Sequence, residues 1–359
     1  MRLDQKISRR ITCVSFLMAC VIVVFHCYDG ELERTGALDE TIYWGINNFF
    51  SALSRLALCW FFSVSGFLLY RDYELKSYAG KVKRRVFSLL VPFLLLETAA
   101  GILNGSLLQD PGRVLGSIFL LQKWPPVGPL WYMYAIFLFA LLSPVPYLLL
   151  KWKRPWGGCV LFLLLAAIVY WNDVFKGPFV YHFLTYGYVS SIINYLPAYL
   201  TGCYFGIHDR DRERNPFAGC VLILLAALLA EPVVEGMLTE TVHCILPVLM
   251  LYAFPDVRAE GRKRALFNLT FLVYAIHSYP TVHLTPRIRS LLLKITPEAW
   301  FANLMGRLLV LPAVILLAAA VWMLLSAVCP PLLKIITGGR VKPWRRTSGK
   351  DLKGSAAAG

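Results

Sequence analysis

Five ionisable side chains lie inside long apolar runs of this 359-residue chain: His26, Arg55, Glu97, His277 and Arg307. At membrane depth such groups are costly, and each marks a candidate pathway, ion pair or reaction centre. A neutral histidine can accept and return a proton near neutrality, and an arginine can hold charge that develops on an oxygen. At about 1.5 Å per helical residue, they lie roughly 3, 12, 9, 10 and 5 Å from the outer ends of their runs. All five fall in the outer half, which points to one shared polar cavity open to the outside. Simpler readings stand beside it. His26 can sit at headgroup level, Arg55 and Glu97 can form a structural ion pair, and His277 can bond a neighbouring helix. Arg307 is shallow enough to snorkel, and that is the expected reading for it.

A second cluster lies on the inner side. Lys81, Lys83, Arg84 and Arg85 form a dense cationic run just before an apolar segment. Nucleotide phosphates or anionic lipid headgroups would bind such a run. Ser63-Val64-Ser65-Gly66 falls close above it. Small residues there predict tight helix packing and leave room for a slender chain. Two served faces fit group transfer across a membrane, or transport.

The elements that position these groups are membrane helices. The chain is 58% hydrophobic and 16% charged, against about a quarter charged in soluble domains. Its apolar runs lack the alternation of barrel strands and are too long for them. The expected fold is all-α, a polytopic bundle with spans near 11–28, 47–70, 86–103, 129–150, 157–172, 189–207, 216–230, 242–255, 266–284 and 304–335. The seventh and eighth are short enough to be one re-entrant pair. With the N-terminus inside, inner segments hold 27 Lys and Arg and outer loops hold 7. Both termini are therefore expected in the cytoplasm, and the formal net charge of +15 needs no nucleic acid. Residues 1–340 are read as one transmembrane domain and 341–359 as a disordered basic tail. Nine cysteines carry no Cys-x-x-Cys pair and are read as packing residues, with no metal implied.

The motifs then acquire a family resemblance. Val21-Ile22-Val23-Val24-Phe25-His26, Phe61-Phe62-Ser63-Val64-Ser65-Gly66-Phe67-Leu68-Leu69, Lys81-Val82-Lys83-Arg84-Arg85 with Leu89-Leu90-Val91-Pro92-Phe93, Pro129-Leu130-Trp131-Tyr132-Met133 and Tyr274-Ala275-Ile276-His277 occur in order along the chain. Together they resemble acyltransferase family 3, the bacterial membrane O-acyltransferases of surface glycans. The resemblance implies an acyl-CoA donor, such as acetyl-CoA, with its phosphates on Lys81, Lys83, Arg84 and Arg85. The pantetheine arm would rise past Ser65 toward His26, the general base. It further implies Arg55 at the thioester carbonyl, Glu97 beside Arg55 or the imidazole, and Trp131 and His277 toward the acceptor, with Trp131 stacking a sugar ring at the outer mouth. The expected location is the bacterial cytoplasmic membrane, with a glycan hydroxyl as acceptor.

Two positions depart from the family pattern. Ser15 stands where the family often has a basic residue, for which Arg9 or Arg10 could substitute, and Arg-x-x-Arg appears as Lys81-x-x-Arg84. In the first outer loop Asp29, Glu31, Glu33, Asp39 and Glu40 disfavour a strongly anionic acceptor. A transporter or flippase for a glycan or lipid-linked precursor is the main rival reading, and a membrane sensor that kept the fold without the chemistry is the second.

Overall fold

The computed structural model describes residues 5–28, 36–119, 127–152, 156–174, 189–208, 224–225, 228, 237–258 and 261–343. Helix α1 is Gln5–His26 and α2 is Ala37–Tyr70. A 3₁₀ turn leads into α3 (Tyr78–Arg85), and a π-helical turn at Val86–Leu90 joins it to α4 (Val91–Leu103). Two short helices, α5 (Ser106–Gln109) and α6 (Pro111–Phe119), precede α7 (Trp131–Leu141) and α8 (Pro144–Leu150). Then follow α9 (Trp156–Val174), α10 (Val189–His208) and α11 (Met237–Ala253). The chain continues through α12 (Gly261–Asn268), α13 (Thr270–Ile276) and α14 (Ser278–Leu293). It closes with α15 (Ala299–Val328) and α16 (Pro330–Ile336). No strand occurs among the described residues.

Among the described residues, four segments are long and apolar enough to cross a membrane: Gln5–His26, Ala37–Tyr70, Leu75–Leu103 and Ala299–Val328. The pair Gly128–Leu141 and Pro144–Leu150, bent by 63°, makes a fifth if it is one span. Other runs expected to span are shorter, broken, undescribed or, like Val189–His208, long but not apolar enough. Trp156–Ile168 and Thr241–Ala253 are short apolar helices, most of 216–230 lies outside the described residues, and 266–284 is interrupted at His277. Pro280 lacks the N–H that would bond the carbonyl of residue 276, which ends one helix there and lets α14 start. Leu308, Leu309, Leu316 and Leu324 on α15 are exposed, as expected of side chains that face lipid.

The bundle is organised around α2. Against α10 the backbones almost touch: a Cβ on Gly202 would fall 1.9 Å from the Ser63 carbonyl oxygen, and one on Gly66 would fall 2.4 Å from that of Tyr199. The small residues of the second run therefore do what their size predicts. The register of α1 on α2 is fixed near its middle by Trp60, whose Nε1 donates to Ser15 Oγ at 3.1 Å. Packing continues past the expected domain end at 340. Val341 is buried, and the Lys342 carbonyl accepts from Trp322 Nε1 at 2.8 Å. Of the expected tail, 344–359 lies outside the described residues.

Candidate active site

Helix α1 ends at His26, which is exposed, and the break between α13 and α14 brings His277 beside it. The two imidazole centroids are 5.1 Å apart. His277 is fully buried and its Nδ1 lies 2.6 Å from the Tyr274 carbonyl. A carbonyl only accepts, so Nδ1 carries the hydrogen and Nε2 of the neutral ring is left with a lone pair. That Nε2 is buried and has no hydrogen-bond partner among the described residues.

Glu97 reaches the same neighbourhood through a turn rather than through a cation. It is fully buried, its Oε2 accepts from the Val127 N–H at 2.8 Å, and its Oε1 has no hydrogen-bond partner among the described residues. Two residues further on, the Pro129 carbonyl accepts from the Tyr274 hydroxyl. The Gly128–Leu130 turn thus ties Glu97 to the residue that orients His277. The expected Arg55–Glu97 pair is not what holds this carboxylate. Arg55 is half-buried on α2, eight residues or about 12 Å beyond Asn47, at a level between Ser15 and Val24 of α1. Trp131 is buried and packs its ring on Phe62 and Tyr195, at centroid distances of 5.8 and 6.0 Å. It is a core residue here, not an open stacking platform at the outer mouth, because its helix starts inside the aromatic cluster.

Arg307 does not snorkel. It is 1% exposed. Its Nη1 donates to the Val24 carbonyl at 2.9 Å, Nε to Asn303 Oδ1 at 2.9 Å and Nη2 to Asn47 Oδ1 at 2.5 Å. Arg289, also buried, donates to the Cys27 carbonyl and to Asn303 Oδ1. Carbonyls at the C-terminal end of a helix lack intrahelical donors, and these two guanidiniums satisfy them. They fix the last turn of α1, the turn that carries His26. Hydropathy missed Arg289 by placing it in an outer loop, whereas α14 runs on to Leu293. Asp39 is likewise spent inside: its carboxylate accepts from the backbone N–H groups of Ala299 and Trp300 and caps α15. It is therefore no part of an acidic outer surface, and Asp29, Glu31 and Glu33 lie outside the described residues.

Two cavities lie on the other side of the imidazole pair. One of about 1040 Å³ is lined by Lys81, Lys83, Arg84 and Arg85 together with Lys334 and Gly338. The run expected to bind a donor therefore faces a common space, though its members differ. Lys81 Nζ donates to the Leu69 carbonyl at 2.6 Å, closing the end of α2, and Arg84 Nε bonds back to Gly80 at 3.3 Å. The second cavity, of about 800 Å³, has Ser15, Ser65, Tyr132 and Arg340 in its walls. Its far end is formed by Ile22 and Tyr274, about one turn before His26 and His277. Arg85 and Leu68 line both cavities, so the spaces adjoin. Ser65 Oγ lies 2.8 Å from the Tyr132 hydroxyl, which itself donates to the Phe61 carbonyl at 2.8 Å.

Arg9 and Arg10 do not stand in for the basic residue missing at Ser15. Arg9 pairs with Asp256 at 2.5 Å, and Arg10 Nη1 donates to the Tyr252 carbonyl at 2.6 Å. Arg9 holds the Asp256 carboxyl below its ordinary range, so the pair is formed well before neutral pH.

A family model described as an acyltransferase domain, that of acyltransferase family 3, matches residues 15–329. The chain belongs to this family. The match spans His26, the α2–α10 crossing, the basic run and His277, so the residues that converge in space lie within the family domain. Neither a curated protein nor a solved structure matches the chain. The protein is thus an all-helical membrane protein of an acyltransferase family, with the imidazole pair and the two adjoining cavities as its candidate site.

Proposed function

We propose that the protein moves an acyl group from cytoplasmic acyl-CoA to a hydroxyl of an extracytoplasmic glycan, from a ten-span bundle in the bacterial cytoplasmic membrane with both termini inside. The observation that carries this reading is the sequence of spaces: a basic cavity, a second cavity sharing Arg85 with it, and an end wall one turn short of His26 and His277. A donor with an anionic head and a thin arm fits such a path better than a bulky transported glycan does. Acetyl is the acyl group that demands least of the space at the end of it.

In this reading the acceptor oxygen attacks the thioester carbonyl carbon while His26 takes the hydroxyl proton. The carbon–sulfur bond breaks, and the proton returns to the leaving sulfur, so CoA departs as the thiol. A positioned base of this kind contributes typically 10²–10⁴-fold. His277 and the turn held by Glu97 fix where His26 works, and Arg55, deeper on α2, orients the incoming carbonyl.

The test is turnover of isotope-labelled acetyl-CoA by the purified protein in liposomes, wild type against His26→Ala. Slow CoA release that the variant loses is expected. Absence of release, with other acyl-CoAs and a crude cell-wall acceptor extract also supplied, would turn the reading toward a transporter.

A further inference from the structure

The second cavity holds three cations, Arg85, Arg340 and Lys342, and no carboxylate lines it among the described residues. Arg340 and Lys342 lie beyond residue 329, outside the family match, and they reach the cavity through a built turn. After α16 the chain reverses at Gly338 and Gly339, with φ of 57° and 75°, a conformation that side chains with a Cβ rarely adopt. A Cβ on Gly338 would also fall 2.3 Å from the Ser88 carbonyl oxygen. Behind the turn Val341 is buried. Asn268 clamps Lys342 by donating to its carbonyl and accepting from its N–H, both at 3.2 Å.

The turn aims Arg340 inward. Its Nη1 donates to the carbonyls of Ser88 and Thr337, and its guanidinium lies over the Phe271 ring at 5.2 Å. The remaining N–H groups of Arg340, and the whole guanidinium of Arg85, have no hydrogen-bond or ion-pair partner among the described residues. Arg340 stays open to solvent at the wall of the cavity, and partial desolvation of its guanidinium, and then the charge of Arg85, lower it to about 10. Two like charges brought together around an empty space, each with donors to spare, are unfavourable unless an anion joins them.

We infer that Arg85, Arg340 and Lys342 form a diphosphate site inside the second cavity, which seats the diphosphate of the acyl donor between the two guanidiniums. This rests on the reading of the donor as acyl-CoA. It extends the anchoring point from the basic run, through Arg85, into the second cavity and makes the segment after the last long helix part of the donor site. Planar guanidiniums match the phosphate oxygens bidentately, a geometry a lysine does not reproduce.

The experiment uses the full-length protein and measures acetyl-CoA turnover and its inhibition by inorganic pyrophosphate, in wild type, Arg340→Gln and Arg340→Lys. The donor KM is expected to rise roughly tenfold or more in Arg340→Gln, with kcat changed much less, pyrophosphate inhibition weakened in parallel and Arg340→Lys in between. Thermal melting of each variant separates this from loss of the bond to Ser88. An Arg340→Gln protein that melts as the wild type does and keeps its donor KM and pyrophosphate sensitivity overturns the inference and leaves the transferase standing. Pyrophosphate binding that depends on Arg340, in a protein that never turns over any acyl-CoA, sinks the transferase and keeps the anion site.

Discussion

At the scale of single residues, the site is defined by which nitrogen of which histidine is free. His277 has its Nδ1 committed to the Tyr274 carbonyl and its Nε2 unpartnered beside His26. In the proposed reaction, a His26 ring that turned its N–H to this acceptor would keep its other nitrogen as the lone-pair base. His277 is then a positioning residue. Replacing it with phenylalanine keeps the ring volume and removes the acceptor. His277→Phe is expected to lower kcat about tenfold to a hundredfold while the donor KM changes little, as read by steady-state kinetics with acetyl-CoA. A rise in KM with kcat intact would instead put His277 in donor binding. The sequence placed His26 and His277 in the outer halves of their runs, at roughly 3 and 10 Å from the ends, and did not pair them. Arg289 and Arg307 were not legible in the same way. A hydropathy window treats each arginine as a cost, and only the folded chain supplies the helix-end carbonyls and asparagines that remove that cost.

At the scale of elements, α2 is the axis on which the site is assembled. It carries Asn47 toward Arg307, Ser65 toward the cavity and Gly66 toward α10. The sequence made the packing face visible because small residues cluster there. It could not reveal where helices break, because the interruption at His277 depends on a missing donor at Pro280 and on contacts of Tyr274 with a distant turn. Among the described residues four or five helices are long and apolar enough to cross, and the run at 266–284 is broken by this local signal. The α2–α10 crossing makes a sharp stability prediction. Gly202→Ala would drive a Cβ to 1.9 Å from the Ser63 carbonyl oxygen, where backbone rather than a flexible side chain must move. It is expected to cost about 1–3 kcal/mol or more and to lower the melting temperature in detergent. Gly45→Ala, on α2 with open space around it, is expected to be neutral or slightly stabilising, by about 0.5–1 kcal/mol. Equal melting of the two variants would mean that the helices do not approach each other this closely.

At the scale of the whole molecule, the proposed reaction separates recognition from chemistry. Cations gather around the two inner cavities, the imidazole pair lies beyond the far wall, and the space between is walled mainly by apolar and aromatic side chains with Ser65 and Tyr132 among them. If a thin arm must traverse that space, filling it should stop transfer without disturbing capture of the donor head. Ser65 is the place to fill it. Its hydroxyl makes one bond to Tyr132, and Tyr132 keeps its bond to the Phe61 carbonyl without it. Ser65→Ala should therefore cost no more than about 0.5–1.5 kcal/mol of stability and leave turnover near wild type. Ser65→Phe puts a ring into the passage. It is expected to abolish CoA release in liposomes while CoA still protects the protein against thermal unfolding, because binding at the basic end remains. Loss of both turnover and protection would show that the ring distorts the donor site itself. Full turnover in Ser65→Phe would show that the acyl group reaches His26 by another route, and the two cavities would then have to be read as separate sites.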